Sequence, residues 1–249
     1  MDIGELGSQL NEHVERLRAA REEVGDHIAW YPYDILANVV HLDGLLQGEY
    51  RDLDRLAQGR PVADIGAADG DLAFTLEHAA GWEMDIVDNA PTNMNGLDGA
   101  RALAKALDSR TQVHDVDLDR QFRLPREDYG LVLLLGTLYH LQNPYYTLRE
   151  LAERADHCVL STRVARFAGP ADAPIGDLPV AYLVDPTETN NDPTNYWIFS
   201  SAGLERIVRR AGWEMLLRHN VGDTENSNPS AAERDEREFL LLRSRLRTA

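Results

Sequence analysis

Residues 61–71, with the sequence Pro-Val-Ala-Asp-Ile-Gly-Ala-Ala-Asp-Gly-Asp, constrain the fold of this chain more than any other stretch. The apolar run that ends at Ile65 predicts a short strand, the small residues 66–70 predict a tight turn, and the pattern from Asp71 onward predicts a helix. A strand, a tight turn and a helix in this order open a parallel α/β sheet. The backbone of such a turn can lie flat against a nucleoside, and its carboxylates favour a positively charged ligand.

The rest of the chain alternates apolar runs with helical patterns, which predicts crossover units and a mostly parallel sheet. Residues 131–135 are all apolar, as in a central strand that is covered on both faces. The last two strands follow each other without a helix between them, so we expect an antiparallel hairpin. The predicted strands are 62–65, 84–88, 112–116, 131–135, 157–162, 213–218 and 238–243, and the predicted helices among them are 71–80, 96–107 and 145–155.

Two segments flank or interrupt this pattern. Residues 5–24 place apolar side chains at helical spacing, so residues 1–58 are predicted to form an N-terminal helical cap, whose first helix can also serve as a homodimer contact. Residues 59–249 then form the main domain. Within it, residues 163–199 carry five prolines among many Asn, Asp and Thr residues, which predicts a long irregular lid insertion. Ser201 is the expected N-cap of the helix that follows.

The composition excludes several classes of protein. The 249 residues include 25 basic and 42 acidic side chains, a formal net charge of −17, which counts against a nucleic-acid partner. The single cysteine, Cys158, excludes a disulfide within the chain and is expected to be a buried apolar residue. We predict no metal site, because His114 and its neighbouring acids lack a clear further ligand. The N-terminal residues do not have the pattern of a leader, and no apolar run approaches the length of ~18 residues that a membrane span needs. We therefore expect a cytoplasmic protein with no membrane anchor.

The glycine spacing distinguishes two kinds of nucleotide site. Dinucleotide-binding folds place their first and last glycines five residues apart and hold pyrophosphate at the helix N-terminus. Here Gly66 and Gly70 are four residues apart. The carboxylates around them are Asp64, Asp69 and Asp71. They would repel pyrophosphate but suit a ligand with ammonium and sulfonium charges, and Asp88, at the end of the second strand, can accept from both hydroxyls of a ribose.

With this turn and this acid, residues 60–245 resemble a class I S-adenosylmethionine-dependent methyltransferase. The family's first strand and turn read as an acidic residue followed by G-x-G-x-G, and Ala68 stands at the middle glycine here. The resemblance implies a Rossmann-like α/β fold with a seven-stranded sheet, mostly parallel, with an antiparallel C-terminal hairpin and helices on both faces. It also implies S-adenosylmethionine as the cofactor.

The resemblance gives a role to each matching position. The glycines pass beneath the methionine portion of the cofactor, and the acid before them acts on its amino group. The acid that ends the second strand binds the ribose. At the third strand, Asp117, or alternatively Asp115, accepts from the adenine amine, with Asp117 preferred. In this chain the implied cofactor-binding residues are Asp64, Gly66, Ala68, Gly70, Asp88, Asp115, Asp117 and Gly136.

The central strand exits into residues 136–144, and ligands of open α/β sheets bind beyond the carboxyl ends of the strands. Gly136 can let the backbone approach the sulfonium, Tyr139 can face the cation or its methyl group, and His140 can accept a proton from the incoming nucleophile. A turn glycine, a packing tyrosine and a capping histidine are the structural alternatives. We predict Tyr139 and His140 as the catalytic residues.

Residues 138–140, Leu-Tyr-His, are similar to the corresponding segment of the tRNA wobble-uridine carboxymethyltransferase subgroup. Trp30 and residues 195–199 extend this resemblance. That enzyme uses a carboxylated form of the cofactor and needs a basic surface for tRNA. The acidic balance of this chain counts against both, so we predict the ordinary cofactor, and the subgroup resemblance supports the architecture more than the substrate.

The insertion predicts the acceptor side. Residues 188–197 combine side-chain amides with aromatic rings, which can hydrogen-bond and stack a flat polar molecule, although the same residues are typical of turns. Arg163 can meet an anionic acceptor or pair with one of the many acids. The predicted acceptor-binding residues are Trp30, Arg163, Asn191, Asn195, Tyr196 and Trp197. We therefore predict methyl transfer to a small polar molecule; the alternatives are a tRNA-modifying methyltransferase and a non-catalytic cofactor-binding protein.

Overall fold

The computed structural model describes residues 1–188, 192–231 and 233–247. Contacts between residues divide the chain into two compact units. The first comprises residues 1–133 and 154–157, and the second comprises residues 134–153 and 158–249. The predicted helical cap, residues 1–58, belongs to the first unit together with the strands that follow it, and its separation as a cap stays a prediction.

The first unit begins with helices and continues as strands that alternate with helices. Its elements are α1 (Ile3–Ser8), α2 (Leu10–Val24), α3 (Asn38–Leu45), α4 (Leu53–Ala57), β1 (Val62–Ile65), α5 (Asp71–Ala80), β2 (Met84–Asp88), α6 (Asp98–Ala106), β3 (Gln112–Asp115) and β4 (Tyr129–Leu135). The last two residues of β4 belong to the second unit. The bounds of β1, α5, β2, α6, β3 and β4 agree with the predicted ones to within two residues.

The strands of the first unit form a parallel ladder in the order β4-β1-β2-β3. Val62 of β1 pairs with Met84 of β2 on one side and with Leu131 of β4 on the other. All four residues of β1 and the first six of β4 are buried, a pattern typical of strands that are covered on both faces. Because the strands are parallel, β1, β2 and β3 end at the same edge, where the residues that follow them can reach one ligand.

The helix predicted over residues 5–24 is two helices, α1 and α2, which separate at Gln9. The Ser8 hydroxyl donates to the carbonyl oxygen of Glu5 at 2.7 Å, and such local bonds compete with a continuous helix. α2 packs against α6, and its buried residues are His13, Leu17 and Ala20. The homodimer contact expected of this helix stays a prediction.

The second unit contains a helix, a long strand, the insertion and a C-terminal hairpin. Its elements are α7 (Pro144–Arg154), β5 (Ala155–Val164), β6 (Phe167–Ala168), β7 (Ala173–Pro174), β8 (Ala181–Leu183), β9 (Trp197–Phe199), α8 (Ser201–Arg210), β10 (Trp213–Gly222) and β11 (Glu236–Ser244). Residues 154–157, at the junction of α7 and β5, belong to the first unit. A short 3-10 turn, Leu138–His140, precedes α7.

β10 and β11 pair antiparallel, from Trp213 opposite Ser244 to Gly222 opposite Glu236, which confirms the predicted hairpin. β11 lies between β10 and β5 in the hydrogen-bonded order. The apolar residues 239–242 of β11 have no exposed surface, so this strand supplies much of the core of the second unit.

The insertion over residues 163–199 is more ordered than its composition predicts. β8 pairs antiparallel with β9, β9 pairs parallel with the end of β5, and β6 and β7 form a separate two-stranded ladder. A small apolar cluster of Ala165, Val184 and Ile198 stabilises this arrangement. These residues are far apart in a proline-rich sequence, so no local periodicity marks them.

The N-cap of α8 is Ser200, and the prediction of Ser201 is wrong. Ser200 has an extended backbone, and its side-chain oxygen accepts from the N–H of Gly203 at 2.9 Å. Ser201 is the first helical residue, and its hydroxyl donates to Glu238 at 2.8 Å. Since two serines adjoin, the sequence does not distinguish which one caps the helix.

Cys158 lies in β5 with no exposed surface, as predicted, and burial raises the pKa of its thiol. The apolar surroundings disfavour the thiolate, which is the reactive form of cysteine. No helix in the described ranges is both long enough and apolar enough to span a bilayer.

Candidate functional site

The turn between β1 and α5 is built from residues with a left-handed backbone. Gly66, Ala68 and Gly70 have φ angles of 69°, 55° and 85°. Glycine adopts this conformation readily, whereas the Cβ atom of an alanine makes it cost about 1 kcal/mol. At Gly70 a Cβ atom would lie 2.4 Å from Ile86 Cδ1 and 2.8 Å from a ring carbon of Phe74. The turn therefore needs glycine at position 70 for space as well as for its backbone angle.

Asp64 and Asp88 lie beside this turn, and both are harder to ionise than ordinary carboxyls. Asp64 is 4% exposed, and burial, together with the charges of Asp88 and Asp71, raises its pKa to about 7. Asp88 accepts from the N–H of Asn89 at 2.8 Å and from the side-chain amide of Asn93 at 2.9 Å, yet burial still raises its pKa. A cation bound here would stabilise both ionised carboxylates.

Asp69 and Asp71 are engaged with the N-terminal segment. Arg21 of α2 donates to Asp71 Oδ1 at 2.6 Å and lies 3.7 Å from Asp69 Oδ2. Asp69 is fully buried and also accepts from the N–H of Tyr31 at 2.8 Å and from the side-chain amide of Asn95 at 2.7 Å. Two of the three carboxylates around the turn therefore attach α2 and the segment after it.

Trp30, predicted to contact the acceptor, has its ring 5.2 Å from the guanidinium carbon of Arg21. It lines a cavity of about 240 Å³ in the first unit, together with Arg21, Tyr31, Tyr33 and Asp71. The structure thus brings Trp30 close to the glycine turn through Arg21. Its contact with an acceptor stays a prediction.

Asp115 and Asp117 differ in how much of each carboxylate is already engaged. Asp117 accepts from the N–H of Asp119 at 3.0 Å through Oδ1, and its Oδ2 pairs with Arg120 at 3.0 Å. Asp115 accepts from the N–H of Ala90 at 2.9 Å through Oδ1, and its Oδ2 has no hydrogen bond to a residue in the described ranges. Of the two candidates for an adenine acceptor, the geometry favours Asp115.

In the second unit, the turn after β4 contains Gly136 and Tyr139. Gly136 has a φ of 71°, and its N–H donates to the carbonyl and hydroxyl oxygens of Ser161, both at 3.0 Å. Tyr139 is 7% exposed, and its ring centroid lies 4.2 Å from that of His140 and 5.8 Å from the guanidinium carbon of Arg237. The cation that Tyr139 faces within its own unit is therefore a side chain, Arg237.

Thr194 fixes the tautomer of His140. The carbonyl oxygen of Thr194 lies 3.1 Å from His140 Nδ1, and its hydroxyl oxygen lies 2.9 Å from the same nitrogen. The hydroxyl donates its one hydrogen to Asp192 at 2.6 Å, so both oxygens can only accept from the ring. The hydrogen of the neutral imidazole is therefore on Nδ1 and the lone pair on Nε2. Burial, with the charges of Arg237 and Arg163, lowers the pKa of His140 and keeps the ring neutral.

The end of the insertion is attached to the turn after β4. The N–H of Tyr196 donates to the carbonyl oxygen of Tyr139 at 2.9 Å. Gln142 donates its side-chain amide to the Tyr196 hydroxyl at 3.3 Å and accepts from Trp197 Nε1 at 3.3 Å. The structure therefore brings together, within one unit, the predicted residues Tyr139, His140, Asn195, Tyr196 and Trp197.

Arg163 and Asn191 are the other predicted acceptor residues of this region. Asn191 lies outside the described residues. Arg163, near the end of β5, is 5% exposed, and its Nε donates to Asp235 Oδ1 at 2.5 Å. The ion pair that we considered for this arginine is therefore present, and a second arginine, Arg237, lies 3.7 Å from the other oxygen of Asp235.

Residues 16–217 match the model of a family described as methyltransferase domain, which covers most of the chain. The chain belongs to this methyltransferase family. The predicted family resemblance is confirmed, and the protein is an S-adenosylmethionine-dependent methyltransferase. Among curated proteins, none matches the sequence significantly.

Solved structures of low sequence identity share the fold of this methyltransferase. The N-terminal domain of EvdMO1 with SAH bound has a TM-score of 0.55 at 16% identity, with 92% of this chain and 95% of that chain covered. In a second structure, of EvdMO1, this chain covers 47% of that chain. The [4+2]-cyclase SpnF has a TM-score of 0.57 at 14% identity over 95% of this chain and 94% of that one. A putative methyltransferase from Bacillus halodurans C-125 has a TM-score of 0.54 at 15% identity over 77% and 98%.

These similarities confirm the predicted Rossmann-like α/β fold, with its mostly parallel sheet and its antiparallel C-terminal hairpin. They also confirm S-adenosylmethionine as the cofactor of this methyltransferase. Because fold does not determine the reaction partner, the acceptor has to be argued from the residues themselves.

Four residues that shape these regions were missed from the sequence: Arg21, Thr194, Asp235 and Arg237. Arg21 lies in an amphipathic pattern, where an arginine is typical of a solvated face. Thr194 lies among the amides of the insertion, and its hydroxyl gave no separate signal. For Arg237, the available signal was a basic residue in an otherwise acidic stretch directly before an apolar strand.

Proposed function

We propose that this methyltransferase transfers a methyl group to a small polar acceptor whose nucleophilic atom carries a proton, with His140 as the general base. The observation that carries the proposal is the tautomer of His140, whose Nδ1 is held by Thr194 so that the lone pair is on Nε2. Its lowered pKa keeps this base form populated at neutral pH. His140 would take the proton at Nε2 as the nucleophile attacks.

Most of the proposed cofactor-binding residues lie in the first unit. Bound S-adenosylmethionine supplies a methyl group on a cationic sulfur. Asp64 would accept from its amino group, Asp88 from its ribose hydroxyls and Asp115 from its adenine amine. Two observations support this assignment: the buried carboxylates have raised pKa values that a cation would relieve, and a Cβ atom has no space at Gly70. Backbone contacts with the cofactor are proposed for Gly66, Ala68, Gly70 and Gly136.

The acceptor is proposed to be small because of the contacts made by the insertion. Tyr196 and Trp197 hydrogen-bond to Tyr139 and Gln142, which flank His140 along the chain. An extended nucleic acid would also have to overcome a net charge of −17. A modified tRNA is therefore the weaker of the two acceptor classes.

Calorimetric titration with S-adenosylhomocysteine tests the cofactor assignment. We expect the Asp88→Asn variant to bind at least about tenfold more weakly, since it loses charged hydrogen bonds to the ribose. Asp98→Asn, a change of the same kind at a 70% exposed side chain, should match the wild type. Equal affinity in both variants would remove Asp88 from the site.

A second experiment tests the acceptor class. The enzyme is incubated with methyl-labelled cofactor and, in parallel, with a small-metabolite extract or with total tRNA. We expect label in the metabolite fraction and a loss of that label in the His140→Gln variant. Label in tRNA would instead support the RNA-modifying alternative, and cofactor binding without any transfer would support the non-catalytic one.

A further inference from the structure

Two arginines in the second unit share one carboxylate. Arg163 Nε donates to Asp235 Oδ1 at 2.5 Å, and Arg237 Nε lies 3.7 Å from Asp235 Oδ2. One carboxylate balances one guanidinium, so this group of three side chains carries one positive charge in excess. The chain as a whole has a formal net charge of −17, so its composition does not predict a local excess of positive charge.

The arginines nearby do not share this feature. Arg166 donates through two nitrogens to Glu236, at 2.9 and 2.8 Å. Arg218 pairs with Glu238 at 3.1 Å. Each of these arginines has a buried glutamate of its own, so the excess charge belongs to the pair that shares Asp235.

Arg163 also has N–H donors that bond to no residue in the described part of the chain. Its side chain is 6% exposed, yet in the described part of the chain only its Nε has a hydrogen-bond partner. A guanidinium carries five N–H donors, and the terminal nitrogens of Arg163 are not among the buried atoms that lack a partner, so solvent reaches them. The terminal nitrogens of Arg163 are therefore suited to an acceptor that the chain itself does not supply.

The pair lies beside the proposed base. The Arg237 guanidinium carbon is 5.8 Å from the ring centroid of Tyr139, whose ring in turn contacts that of His140. The charges of Arg163 and Arg237 both act on His140. Asp192, the nearby acid, is engaged with Thr194, whose N–H and hydroxyl donate to it at 2.9 and 2.6 Å.

We infer that Arg163 and Arg237 form a subsite for a carboxylate of the acceptor. This inference rests on the proposed function and narrows its acceptor class to small organic acids. Guanidinium groups bind carboxylates through paired, charge-assisted hydrogen bonds. The single excess charge matches a monoanion better than a phosphate dianion. The subsite would hold the acid end of the acceptor while His140 deprotonates its nucleophile.

Chemical-shift titration of the full chain tests this subsite, with sodium butyrate, butyramide and inorganic phosphate as probes at constant ionic strength. We expect butyrate to bind, its uncharged amide not to bind, and phosphate to bind no better than butyrate. Arg163→Gln should lower the affinity for butyrate by about tenfold or more, because a charge-assisted hydrogen bond is lost. Arg206→Gln, at an exposed position of α8, is the matched control and should leave the affinity unchanged.

Equal butyrate affinity in Arg163→Gln and Arg206→Gln would overturn the inference, and so would phosphate binding tenfold more tightly than butyrate. If Arg163→Gln does not fold, Arg237→Gln decides the matter, because that side chain is 37% exposed and tolerates replacement. Titration of each variant with S-adenosylhomocysteine separates the two proposals. If an arginine variant loses butyrate binding but still binds S-adenosylhomocysteine, the subsite is supported. If the wild type does not bind S-adenosylhomocysteine, the proposed function is contradicted. In that case the butyrate titration still decides the subsite.

Discussion

The hydroxyl of Thr194 lies 2.9 Å from His140 Nδ1, and its hydrogen is committed to Asp192. A histidine held in this way presents the same nitrogen at all times. Replacing His140 by Gln should lower kcat by about 10²- to 10⁴-fold, the range of general-base catalysis. Thr194→Val keeps the carbonyl acceptor and should cost only a few-fold.

The pH profile of kcat checks this prediction. Because the pKa of His140 is lowered from the ordinary 6.5, the acid limb of the wild-type profile should lie below pH 6.5. It should vanish in His140→Gln, while His27→Gln, an exposed histidine in the first unit, retains it. A profile that is flat from pH 5 to 8 in the wild type would contradict the base assignment.

Asp64 should make cofactor binding depend on pH. Its pKa is about 7 in the folded protein, and a bound ammonium group favours the ionised carboxylate. The affinity for S-adenosylhomocysteine should therefore rise from pH 6 to pH 8, with protons released on binding near pH 7. Calorimetry in buffers of different ionisation enthalpy measures that release. Asp64→Asn should abolish it; release that persists in this variant would assign the proton to another group.

Asp64 should also make the folded protein less stable at alkaline pH. A carboxyl whose pKa is raised from 3.8 to about 7 on folding favours the folded state at low pH, and this contribution is lost as the pH rises through 7. Asp64→Asn should therefore raise the midpoint of urea unfolding at pH 8 and have little effect at pH 4. If the midpoint of Asp64→Asn at pH 8 is lower than that of the wild type, the ionised carboxylate of Asp64 is stabilised by other groups in the protein without cofactor.

The glycine turn offers a matched pair of substitutions. Ala68→Gly should raise the free energy of unfolding by about 1 kcal/mol, because Ala68 has a φ of 55° that strains its Cβ atom. Gly70→Ala should lower it by about 3 kcal/mol or more, since the new Cβ would lie 2.4 Å from Ile86 Cδ1. Urea denaturation measures both. If both substitutions changed the free energy of unfolding in the same direction, the backbone angles or the packing of this turn would be contradicted.

His13 should make the first unit sensitive to acid. It is 3% exposed, its ring lies 5.7 Å from that of His78, and neither ring nitrogen has a hydrogen bond to a described residue. Burial, with the charge of His78, lowers its pKa, so the stability that it contributes is complete above pH 6.5 and is lost as the pH falls below that value.

Replacing His13 by Phe should remove this loss. The difference in unfolding midpoint between pH 7.5 and pH 5.5 should shrink in His13→Phe and stay at the wild-type value in His27→Phe, since His27 is exposed. An unchanged difference in His13→Phe would mean that His13 titrates freely in the folded protein.

Local sequence patterns predicted much of the fold. The turn of residues 66–70, the buried strand around residues 131–135 and the C-terminal hairpin all depend on neighbouring residues, whose spacing reports burial and backbone conformation directly. The strands within the insertion were not predicted, because the cluster of Ala165, Val184 and Ile198 that stabilises them forms through contacts across some thirty residues.

The candidate site was predictable to the same extent. Residue type and position relative to a strand pointed to Asp64 within β1, Asp88 at the end of β2 and His140 after β4. The sharing of Asp235 by two arginines had no sequence signal, since residues 163 and 235 lie far apart along the chain. The tautomer of His140 likewise depends on a hydroxyl 54 residues away, which only the three-dimensional structure brings into contact.

The burial of Cys158 has a practical consequence. A lone thiol that is sealed in a strand and resists ionisation can be alkylated only when that strand opens. The rate of labelling by a thiol reagent therefore measures the opening of β5 in the native protein, without an engineered residue. A ligand that stabilises this strand would slow the labelling, so one mass-spectrometric assay could rank cofactor analogues and acceptors by their protection of a single atom.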